Sequence, residues 1–389
     1  MNVAIITDSF PPMIDGVSRC ALGYAKALHE GGYGNCIVIA PRMPRLKYNY
    51  PFPVYGFRSI RIPYDNYRAG HPFTPRLARK LKSLEIDILH AHSPFISMTL
   101  ARELRRYLDV PIVYTQHTKW DYDIERAVSS KLLQKQLERY VYKNISKANE
   151  VWAVSRGAGE HLISRGYAGD FLVMPNATDF PQGTENPELR AQIDSRFDLP
   201  DGVPILLFVG RMVWYKNIGL ILDALELLKE SGFDFRMLMV GDGRDVPEMI
   251  QKTAEKGLTE RVFFAGRVND REVLMSYFMR SDLFLLVSTY DNAPLVVREA
   301  AACALPSLVL QGSSTAEIID DGINGFLSRE SAVDVAEAIK MIFSDREHLK
   351  TVSEAAQAQV YLPWNKAVEI AVERYKVVMR EYRGSASDQ

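Results

Sequence analysis

The sequence has 389 residues, of which 47% are hydrophobic and 24% charged, and this is typical of two folded domains and not of a disordered chain. Basic residues (Lys and Arg) number 47 and acidic ones 48, so the formal net charge is −1. That value argues against a nucleic-acid-binding protein. The charge is unevenly distributed, because residues 1–180 hold 24 basic and 16 acidic side chains and residues 181–389 hold 23 and 32. We therefore expect a cationic first half and an anionic second half.

Three cysteines, Cys20, Cys36 and Cys303, lie in apolar or small-residue surroundings without a C-x-x-C spacing. They are predicted to be packing thiols in a reducing compartment. Asp8 interrupts the first apolar run too early for a secretory signal, and no apolar run approaches the ~20 residues that span a bilayer. The expected location is the cytoplasm.

Short apolar runs alternate with amphipathic stretches along the chain. Such Val, Ile and Leu runs, separated by helices, are typical of parallel strands covered on both faces. The strands predicted in the first half are Val3–Ile6, Cys36–Ala40, Ile86–His90, Ile112–Thr115, Val151–Val154 and Phe171–Met174, with helices at Ala21–Glu30, Met98–Leu108 and Lys131–Lys147. Those predicted in the second half are Ile205–Val209, Met237–Val240, Val262–Ala265, Leu283–Val287 and Ser307–Leu310, with helices at Gly219–Ser231, Val246–Lys256, Asp270–Arg280, Leu295–Ala304 and Ala332–Phe343.

The two series are separated by residues 181–202, which are rich in Pro, Gly, Asn and charge and lack a strand. The predicted fold class is α/β, with two doubly wound domains over residues 1–180 and 203–362, a linker over 181–202, and a C-terminal helix and polar tail over 363–389. Folds of this kind bind ligands at the carboxyl ends of their strands, so a ligand is expected in a cleft between the two domains.

The loop after the first strand is not the G-x-G-x-x-G of a dinucleotide-binding oxidoreductase. It has Gly16 at its apex and Ser18 as the expected N-cap of the next helix. Free amides and the helix dipole at that point suit an anion. Taken alone, a simple turn explains this pattern more often.

The corresponding loop of the second domain carries two cations. Gly210 ends the strand, and Arg211 and Lys216 follow it. They place a guanidinium and an ammonium where a polyphosphate would lie in such a fold, although two solvated surface charges would give the same pattern. Gly241, at the end of the next strand, would let backbone groups approach a planar ring.

The stretch from Ser288 to Ala301 carries two carboxylates. Asp291 follows a strand and Glu299 lies eight residues later, in the next helix. Carboxylates accept hydrogen bonds from sugar hydroxyls, and the first helix amides, near Leu295 and Val296, can bind a phosphate. This combination favours a nucleotide sugar, although a solvated loop acid and a helix-surface glutamate remain possible.

Several motifs in one order make the chain resemble a family 4 retaining glycosyltransferase of the GT-B fold, over residues 1 to about 380. The matching pieces are the Pro-x-x-x-Gly-Val loop at Gly16, His92-Ser-Pro-Phe, Tyr114-Thr-Gln-His-Thr, Val173-Met-Pro-Asn, Val209-Gly-Arg with Lys216, Gly241-Asp-Gly and Glu317-Ile-Ile-Asp-Asp-Gly-Ile-Asn-Gly-Phe. The resemblance also implies that the C-terminal helix returns to the first domain.

The resemblance implies a role for each matching residue. Arg211 and Lys216 would bind the diphosphate, Asp291 the donor sugar and Glu299 the ribose. The remaining donor contacts would come from Gly16 and Val17 of the first domain and from Gly210, Gly241, Leu295, Val296, and the backbone of Arg267 and Val268 near the base. The family usually has Glu at position 291 and Phe-Gly where this chain has Ala293-Pro294, so the sugar that is read is left open.

His117 matches the active-site histidine of the family, which touches the donor sugar or the reacting group. A histidine at a strand end is by itself more often structural. His90 and His92 are two residues apart, but the sequence shows no third metal ligand beside them. We therefore expect no metal and no cofactor, with Arg211 and Lys216 supplying the positive charge.

The implied reaction moves a hexosyl group from a nucleoside diphosphate sugar with retention of configuration. A UDP-sugar is favoured, although the sequence does not choose among UDP, GDP and ADP. Charge develops on the leaving diphosphate, so Arg211 and Lys216 would be the main catalytic groups, with His117 and Asp291. The resemblance implies attack on the same face of the sugar, with the leaving phosphate accepting the proton.

Residues 41–82 hold ten basic side chains and one acid, Asp65, among many aromatic residues. Cations with interfacial aromatics are typical of a protein that rests on an anionic membrane, and the predicted helix Lys131–Lys147 adds further lysines. An ordinary solvated helix and a Tyr-rich loop would give the same pattern. The basic residues assigned to this membrane and acceptor surface are Arg58, Arg61, Arg68, Arg76, Lys131 and Lys135.

The expected acceptor is therefore a membrane lipid such as diacylglycerol or a glycolipid, as in bacterial glycolipid synthases, and the protein is expected at the inner face of the membrane. The alternatives are a soluble or polyprenyl-linked glycan acceptor and, more remotely, a non-catalytic nucleotide-sugar-binding protein. No nucleic-acid partner is expected.

Overall fold

The computed structural model of the protein describes residues 1–13, 15–43, 46–61, 68–70, 75–183 and 186–387. The chain forms two compact units. Unit 1 comprises Met1–Ala177 with Trp364–Gln389, and unit 2 comprises Thr178–Pro363. In the ranges described, no helix has the length and apolar character needed to cross a membrane.

Unit 1 is built on a parallel sheet. Its strands are β1 (Val3–Ile6), β2 (Cys36–Pro41), β3 (Val54–Phe57), β4 (Ser59–Arg61), β5 (Arg68–Gly70), β6 (Ile88–Ala91), β7 (Ile112–Gln116), β8 (Glu150–Ala153) and β9 (Leu172–Val173). In the described residues seven of them form the sheet in the order β3-β2-β1-β6-β7-β8-β9, and β4 pairs antiparallel with β5. The order reverses between β1 and β6, which is where a doubly wound fold binds ligands.

The helices of unit 1 cover both faces of this sheet. They are α1 (Gly16–Glu30), α2 (Pro75–Lys82), α3 (Ile96–Leu108), α4 (Trp120–Ala127), α5 (Lys131–Ile145), α6 (Arg156–Ser164) and the C-terminal helix (Trp364–Ser387). The C-terminal helix packs on α1, where a Cβ added to Gly23 would lie 2.2 Å from the Trp364 ring. Its Tyr375 hydroxyl also contacts His90 Nδ1 at 2.6 Å.

The prediction of Ser18 as the N-cap of α1 is wrong. Asp15 is the N-cap, with an extended backbone at φ −148° and ψ 170°. Its carboxylate accepts the Ser18 N–H at 2.8 Å, while the Ser18 hydroxyl, already inside the helix, donates to the Met13 carbonyl at 2.7 Å. Aspartate has the better position because an N-cap must still have non-helical backbone angles.

Asp8 connects the end of β1 to the start of α3. Its carboxylate accepts the Ser97 N–H at 2.8 Å and the Ile96 N–H at 3.1 Å. The Ser93 and Ser97 hydroxyls each donate to it at 2.6 Å. The N-cap residue of α3, Phe95, makes no capping bond of its own, so Asp8 satisfies these first-turn donors.

Unit 2 repeats the architecture. Its strands are β10 (Ile205–Val209), β11 (Arg236–Val240), β12 (Val262–Gly266), β13 (Leu283–Leu286), β14 (Ser307–Leu310) and β15 (Phe326–Ser328). Within the described residues they form a six-stranded parallel sheet in the order β12-β11-β10-β13-β14-β15. The switch point lies between β10 and β13. The predicted class, two doubly wound α/β domains, is confirmed.

The helices of unit 2 are α7 (Pro187–Arg196), α8 (Ile218–Glu230), α9 (Val246–Glu255), α10 (Arg271–Met279), α11 (Leu295–Ala302), α12 (Ala332–Ser344) and α13 (Arg346–Ala355). Helix α7 lies within the stretch that the sequence marked as a linker. It forms because the Asn186 side chain caps its first turn, Pro187 begins it, and Ile193 is buried in the core of unit 2.

Candidate active site

The strand ends of unit 2 form a rim of backbone. Gly210, after β10, donates its N–H to the Val240 carbonyl at 3.0 Å, and Gly241, after β11, donates to Gly266 at 2.9 Å. A Cβ on Gly241 would lie 1.9 Å from the Gly210 carbonyl oxygen, and its φ is +147°. Only glycine fits at this position, and it leaves bare backbone at the switch point.

Lys216 and Asp291 meet at this rim. Lys216 ends a 3₁₀ turn, Trp214–Lys216, and its Nζ lies 2.7 Å and 3.0 Å from the two carboxylate oxygens of Asp291, in the loop after β13. Each side chain is 15% exposed. Arg211 is half-buried in the same loop as Lys216. Lys216 and Asp291, both predicted to bind the sugar donor, therefore form an ion pair with each other. A ligand that contacts both side chains must separate them.

Glu299 is also paired. Its side chain is 3% exposed and its Oε1 accepts from Arg271 Nη2 at 2.8 Å. Arg271 opens α10, also contacts Asp179, and lies 4.0 Å above the ring of Phe180. Arg271 was not among the predicted residues, because an arginine in the first turn of a helix carries no signal of its own. Arg271 compensates the charge of the Glu299 carboxylate and so reduces the cost of burying it.

The other unit 2 residues that were predicted to bind the donor follow the strands at the same edge of the sheet. Leu295 and Val296 form the first turn of α11, whose N-cap residue Pro294 makes no side-chain capping bond. Val268 packs against the core of unit 2, while Arg267 is exposed and donates from Nε to Asn269 Oδ1 at 2.9 Å. Because proline has no polar side-chain atom, the N-cap residue does not occupy the first-turn N–H groups of α11, which is favourable for phosphate binding.

In unit 1, His117 follows β7 and contacts His92, which follows the neighbouring strand β6. His92 Nδ1 and His117 Nε2 are 3.0 Å apart, and the two rings stack at 5.2 Å between centroids. Burial lowers the pKa of His117 to about 3. Burial, reinforced by the neighbouring His90 and His117, also holds the pKa of His92 well below its usual range. Both imidazoles are therefore neutral at physiological pH.

Gly16 and Val17 begin α1, where Gly16 is exposed and a Cβ added to it would meet nothing within 4 Å. The loop before α1 is thus open at its apex. Its N-cap Asp15 binds the Ser18 amide, so a ligand at this helix end would have to use other first-turn groups.

The predicted membrane surface lies partly outside the described residues. Arg58 is exposed, but the side chains of Arg61, Arg68 and Arg76 lie outside the description, as do Asp65 and part of the aromatic set. Of the aromatic residues, Phe52 is buried and stacks on Tyr50 at 5.4 Å. These two rings are therefore packed within unit 1.

Helix α5 exposes basic and apolar side chains side by side. Lys131 and Lys135 are exposed, as are Leu132 (71%), Leu133 (46%) and Tyr140 (43%). An exposed leucine pair flanked by lysines at the start of a helix is a surface that apolar and anionic groups can both contact.

Comparison with known proteins identifies the class. Two parallel sheets in Rossmann order match the GT-B fold of glycosyltransferases. Over 98% of its length the chain superimposes on sucrose-phosphate synthase from Thermosynechococcus elongatus (99% of that chain, TM-score 0.76, 19% identity). It also superimposes over all of its length on the whole of Anabaena HepE, solved in complex with UDP (TM-score 0.70, 19% identity).

The sequence comparisons are more specific. Residues 14–180 match the family "Glycosyltransferase Family 4", and residues 190–359 match "Glycosyl transferases group 1". An alpha-monoglucosyldiacylglycerol synthase from Acholeplasma laidlawii is 24% identical over 370 residues, which is 92% of each chain. The chain belongs to glycosyltransferase family 4, and it is a glycosyltransferase.

Proposed function

We propose that the protein transfers a hexosyl group, with retention, from a nucleoside diphosphate sugar to a membrane lipid such as diacylglycerol or a glycolipid. The part of this proposal that concerns the sugar donor is supported by the Lys216–Asp291 pair at the switch point of unit 2. The two side chains are 2.7 Å apart and largely buried. A diphosphate matches the ammonium and a sugar hydroxyl matches the carboxylate, so a sugar nucleotide gives each a new partner.

The proposed chemistry depends on charge at the leaving group. The bond between sugar C1 and the phosphate oxygen breaks, the acceptor oxygen bonds to C1 on the same face, and the acceptor proton passes to the leaving phosphate. Arg211 and Lys216 stabilise the charge that develops there, and the loss of one should lower the rate about 10²–10³-fold. UDP is the favoured nucleotide, and the proposal uses no metal cofactor. A glycosyl-enzyme trapped on Asp291 would contradict it.

The proposal includes the other donor contacts. The Glu299 carboxylate, held by Arg271, would accept hydrogen bonds from the ribose hydroxyls. The neutral ring of His117 would exchange a hydrogen bond with the donor sugar. The backbone would supply the remaining contacts at Gly16, Val17, Gly210, Gly241, Arg267, Val268, Leu295 and Val296.

The lipid acceptor is supported by the name of the Acholeplasma relative and by the surface of α5. Lys131 and Lys135, beside the exposed Leu132 and Leu133, would bring unit 1 to an anionic leaflet at ~1 kcal/mol per basic residue. The enzyme would then meet its acceptor at the inner face of the cell membrane, as a peripheral protein.

Flotation with vesicles tests the membrane half. The protein should float with vesicles that contain phosphatidylglycerol and much less with phosphatidylcholine alone. The double change Lys131→Glu and Lys135→Glu should weaken binding by at least about 30-fold, since two lost cations cost ~2 kcal/mol. Lys366→Glu with Lys376→Glu, the same charge change on exposed lysines of the C-terminal helix, is the matched control. An equal loss of vesicle binding in both variants would contradict membrane docking through α5.

Transfer assays test the reaction and its alternatives. A thermal-shift screen of UDP, GDP and ADP sugars selects the donor. The selected donor is then offered diacylglycerol in vesicles, a polyprenyl phosphate and soluble sugars in separate reactions. A product with the lipid alone supports the proposal, and a product with either other acceptor replaces it by that alternative. Donor binding without transfer or hydrolysis would indicate a binding protein.

A further inference from the structure

Three potential metal ligands from separate elements of unit 1 lie close together near the carboxyl ends of β6 and β7. Cys20 lies in α1, His92 follows β6 and His117 follows β7. One ligand atom from each lies within 4.8 Å of the others, and Cys20 and His92 are buried. Because β6 and β7 are neighbours in the sheet, residues just beyond their carboxyl ends are brought together, although they are 25 positions apart in the sequence.

An imidazole binds a metal ion through the lone pair of one ring nitrogen. The contact between His92 Nδ1 and His117 Nε2, 3.0 Å long, occupies only one ring nitrogen of His92. The other, Nε2, is buried and has no hydrogen-bond partner among the described residues. His92 is 1% exposed, so this nitrogen cannot be satisfied by bulk water.

The third ligand is a thiol. Cys20 is fully buried and its Sγ–H donates to Asn176 Oδ1 at 3.3 Å. Zinc binds imidazole nitrogen at about 2.0–2.1 Å and thiolate at about 2.3 Å, which places tetrahedral ligand atoms roughly 3.3–3.8 Å apart. Small side-chain rotations can therefore bring the three atoms to zinc-binding separations. The thiol proton would leave to solvent as the metal–sulfur bond forms.

The chemistry of the three ligand side chains determines which metal ion they favour. A thiolate and two imidazoles, without a carboxylate, favour a borderline-soft ion such as Zn²⁺ over Mg²⁺, Ca²⁺ or Mn²⁺. Three protein ligands leave the fourth tetrahedral position to water, as in exchangeable sites and unlike closed structural ones. An ion held there would occupy a ring nitrogen of His117.

We propose that Cys20, His92 and His117 form a Zn²⁺ site, and that the bound ion inhibits the enzyme by withdrawing His117 from the donor sugar. Binding of the ion stands on the geometry alone. The inhibition also rests on the proposed function, because it needs His117 to contact the donor.

Cobalt reports the site without any enzyme assay. Untagged, metal-free, full-length protein is titrated with Co²⁺. Tetrahedral thiolate coordination should give intense visible bands and a sulfur-to-cobalt charge-transfer band that saturates at one equivalent, and Zn²⁺ should displace it. Mg²⁺ should not. A failure to develop the charge-transfer band would overturn the site.

The three buried cysteines provide matched variants. Cys20→Ala should abolish the charge-transfer band and weaken Zn²⁺ binding by more than the about 10–100-fold that the loss of an outer-shell partner costs. Cys36→Ala and Cys303→Ala change buried free thiols that are not members of the cluster, and these variants should bind Zn²⁺ as the unchanged protein does. Cys20→Ser, which keeps the side-chain volume, guards against misfolding of the alanine variant, and circular dichroism checks each protein. Equal loss in the Cys36 variant would also overturn the site.

Inhibition is measured next, as transfer with increasing Zn²⁺ relative to each variant's own metal-free rate. The unchanged protein should lose activity at the concentration at which Zn²⁺ displaces Co²⁺, and Cys20→Ala should need at least about tenfold more. If the cobalt bands appear and activity does not fall, the inhibitory role is refuted while the site stands. If no transfer is found under any condition, the proposed function fails, and the cobalt titration still decides the site.

Discussion

Asp291→Asn separates the two roles proposed for the Lys216–Asp291 pair. The amide keeps the shape of the side chain and removes the charge that Lys216 now contacts at 2.7 Å. Lys216 is then released to a phosphate, while the donor sugar loses a charged acceptor. We expect UDP to bind more tightly and sugar transfer to become slower.

The size of the effect follows from the geometry. At 2.7 Å and an effective dielectric constant of about 20, the Coulomb attraction is roughly 6 kcal/mol. Desolvation offsets most of it. Exposed pairs contribute ~0–1 kcal/mol, and the loss of one partner from a buried pair costs about 3–5 kcal/mol. With each side chain 15% exposed, we take about 2 kcal/mol as the cost of separating this pair.

A diphosphate that recruits Lys216 must meet that cost in the unchanged protein and avoids it in the variant. UDP should therefore bind Asp291→Asn about 10–30-fold more tightly, measured by isothermal titration calorimetry. The transfer rate should fall by about 10²-fold. Lys216→Ala should weaken UDP binding and slow transfer together.

A control with the same change of net charge is available in unit 2. Asp223 of α8 lies 2.8 Å from Lys256, the C-cap residue of α9, so Asp223→Asn should leave UDP affinity unchanged. The reasoning is refuted if Asp291→Asn binds UDP no more tightly than the unchanged protein while its circular dichroism is intact. Tighter binding in both variants would indicate a general electrostatic effect.

Three further predictions concern stability and donor binding. Glu299→Gln should raise the KM for the donor about tenfold, since a neutral amide accepts the ribose hydroxyls less strongly. Asp8→Ala, which leaves four donors at the start of α3 without their acceptor, should lower the free energy of unfolding in urea by about 2–4 kcal/mol. Burial opposes ionisation of Asp121, but hydrogen bonds from His161 and Arg165 outweigh it and its pKa is lowered. The ionised Asp121 therefore contributes its full stabilisation above its unfolded-state pKa of about 4, and this contribution is lost as the pH falls through the lower folded-state pKa. In thermal unfolding measured against pH, Asp121→Asn should lose less stability in acid than the unchanged protein.

The buried central strands were predicted well, whereas the edge strands β3 and β15 were not predicted. β1, β10 and β14 have the predicted bounds, because a continuous apolar run is what a parallel strand buried on both faces requires. Strand β3, with the sequence Val-Tyr-Gly-Phe, is partly exposed at the sheet edge, and β15 has only three residues. A short or partly exposed edge strand needs no uninterrupted apolar run, so the local patterns of β3 and β15 carry little signal.

The candidate site was predictable in position and not in pairing. Chain order alone placed Arg211, Lys216 and Asp291 at the carboxyl ends of parallel strands. That Lys216 meets Asp291, 75 residues away, depends on rotamers and loop geometry. Cys20 illustrates the same limit, since its apolar surroundings correctly indicated a buried free thiol. Only the fold brings it beside His92 and His117.

Charge balance at the rim leads to one more prediction, on the choice between sugar nucleotides and bare nucleotides. UDP can give Lys216 a phosphate but leaves Asp291 without a partner. A UDP-sugar supplies a hydroxyl to that carboxylate as well, and a hydrogen bond to a charged group contributes about 1.5–3 kcal/mol. The unchanged protein should therefore prefer the accepted UDP-sugar to UDP by about tenfold or more in calorimetric titrations. In Asp291→Asn the preference should largely disappear, because the isolated carboxylate that penalises UDP is gone. A preference of the same size in both proteins would mean that Asp291 does not contact the sugar, and that its role is confined to holding Lys216 in place.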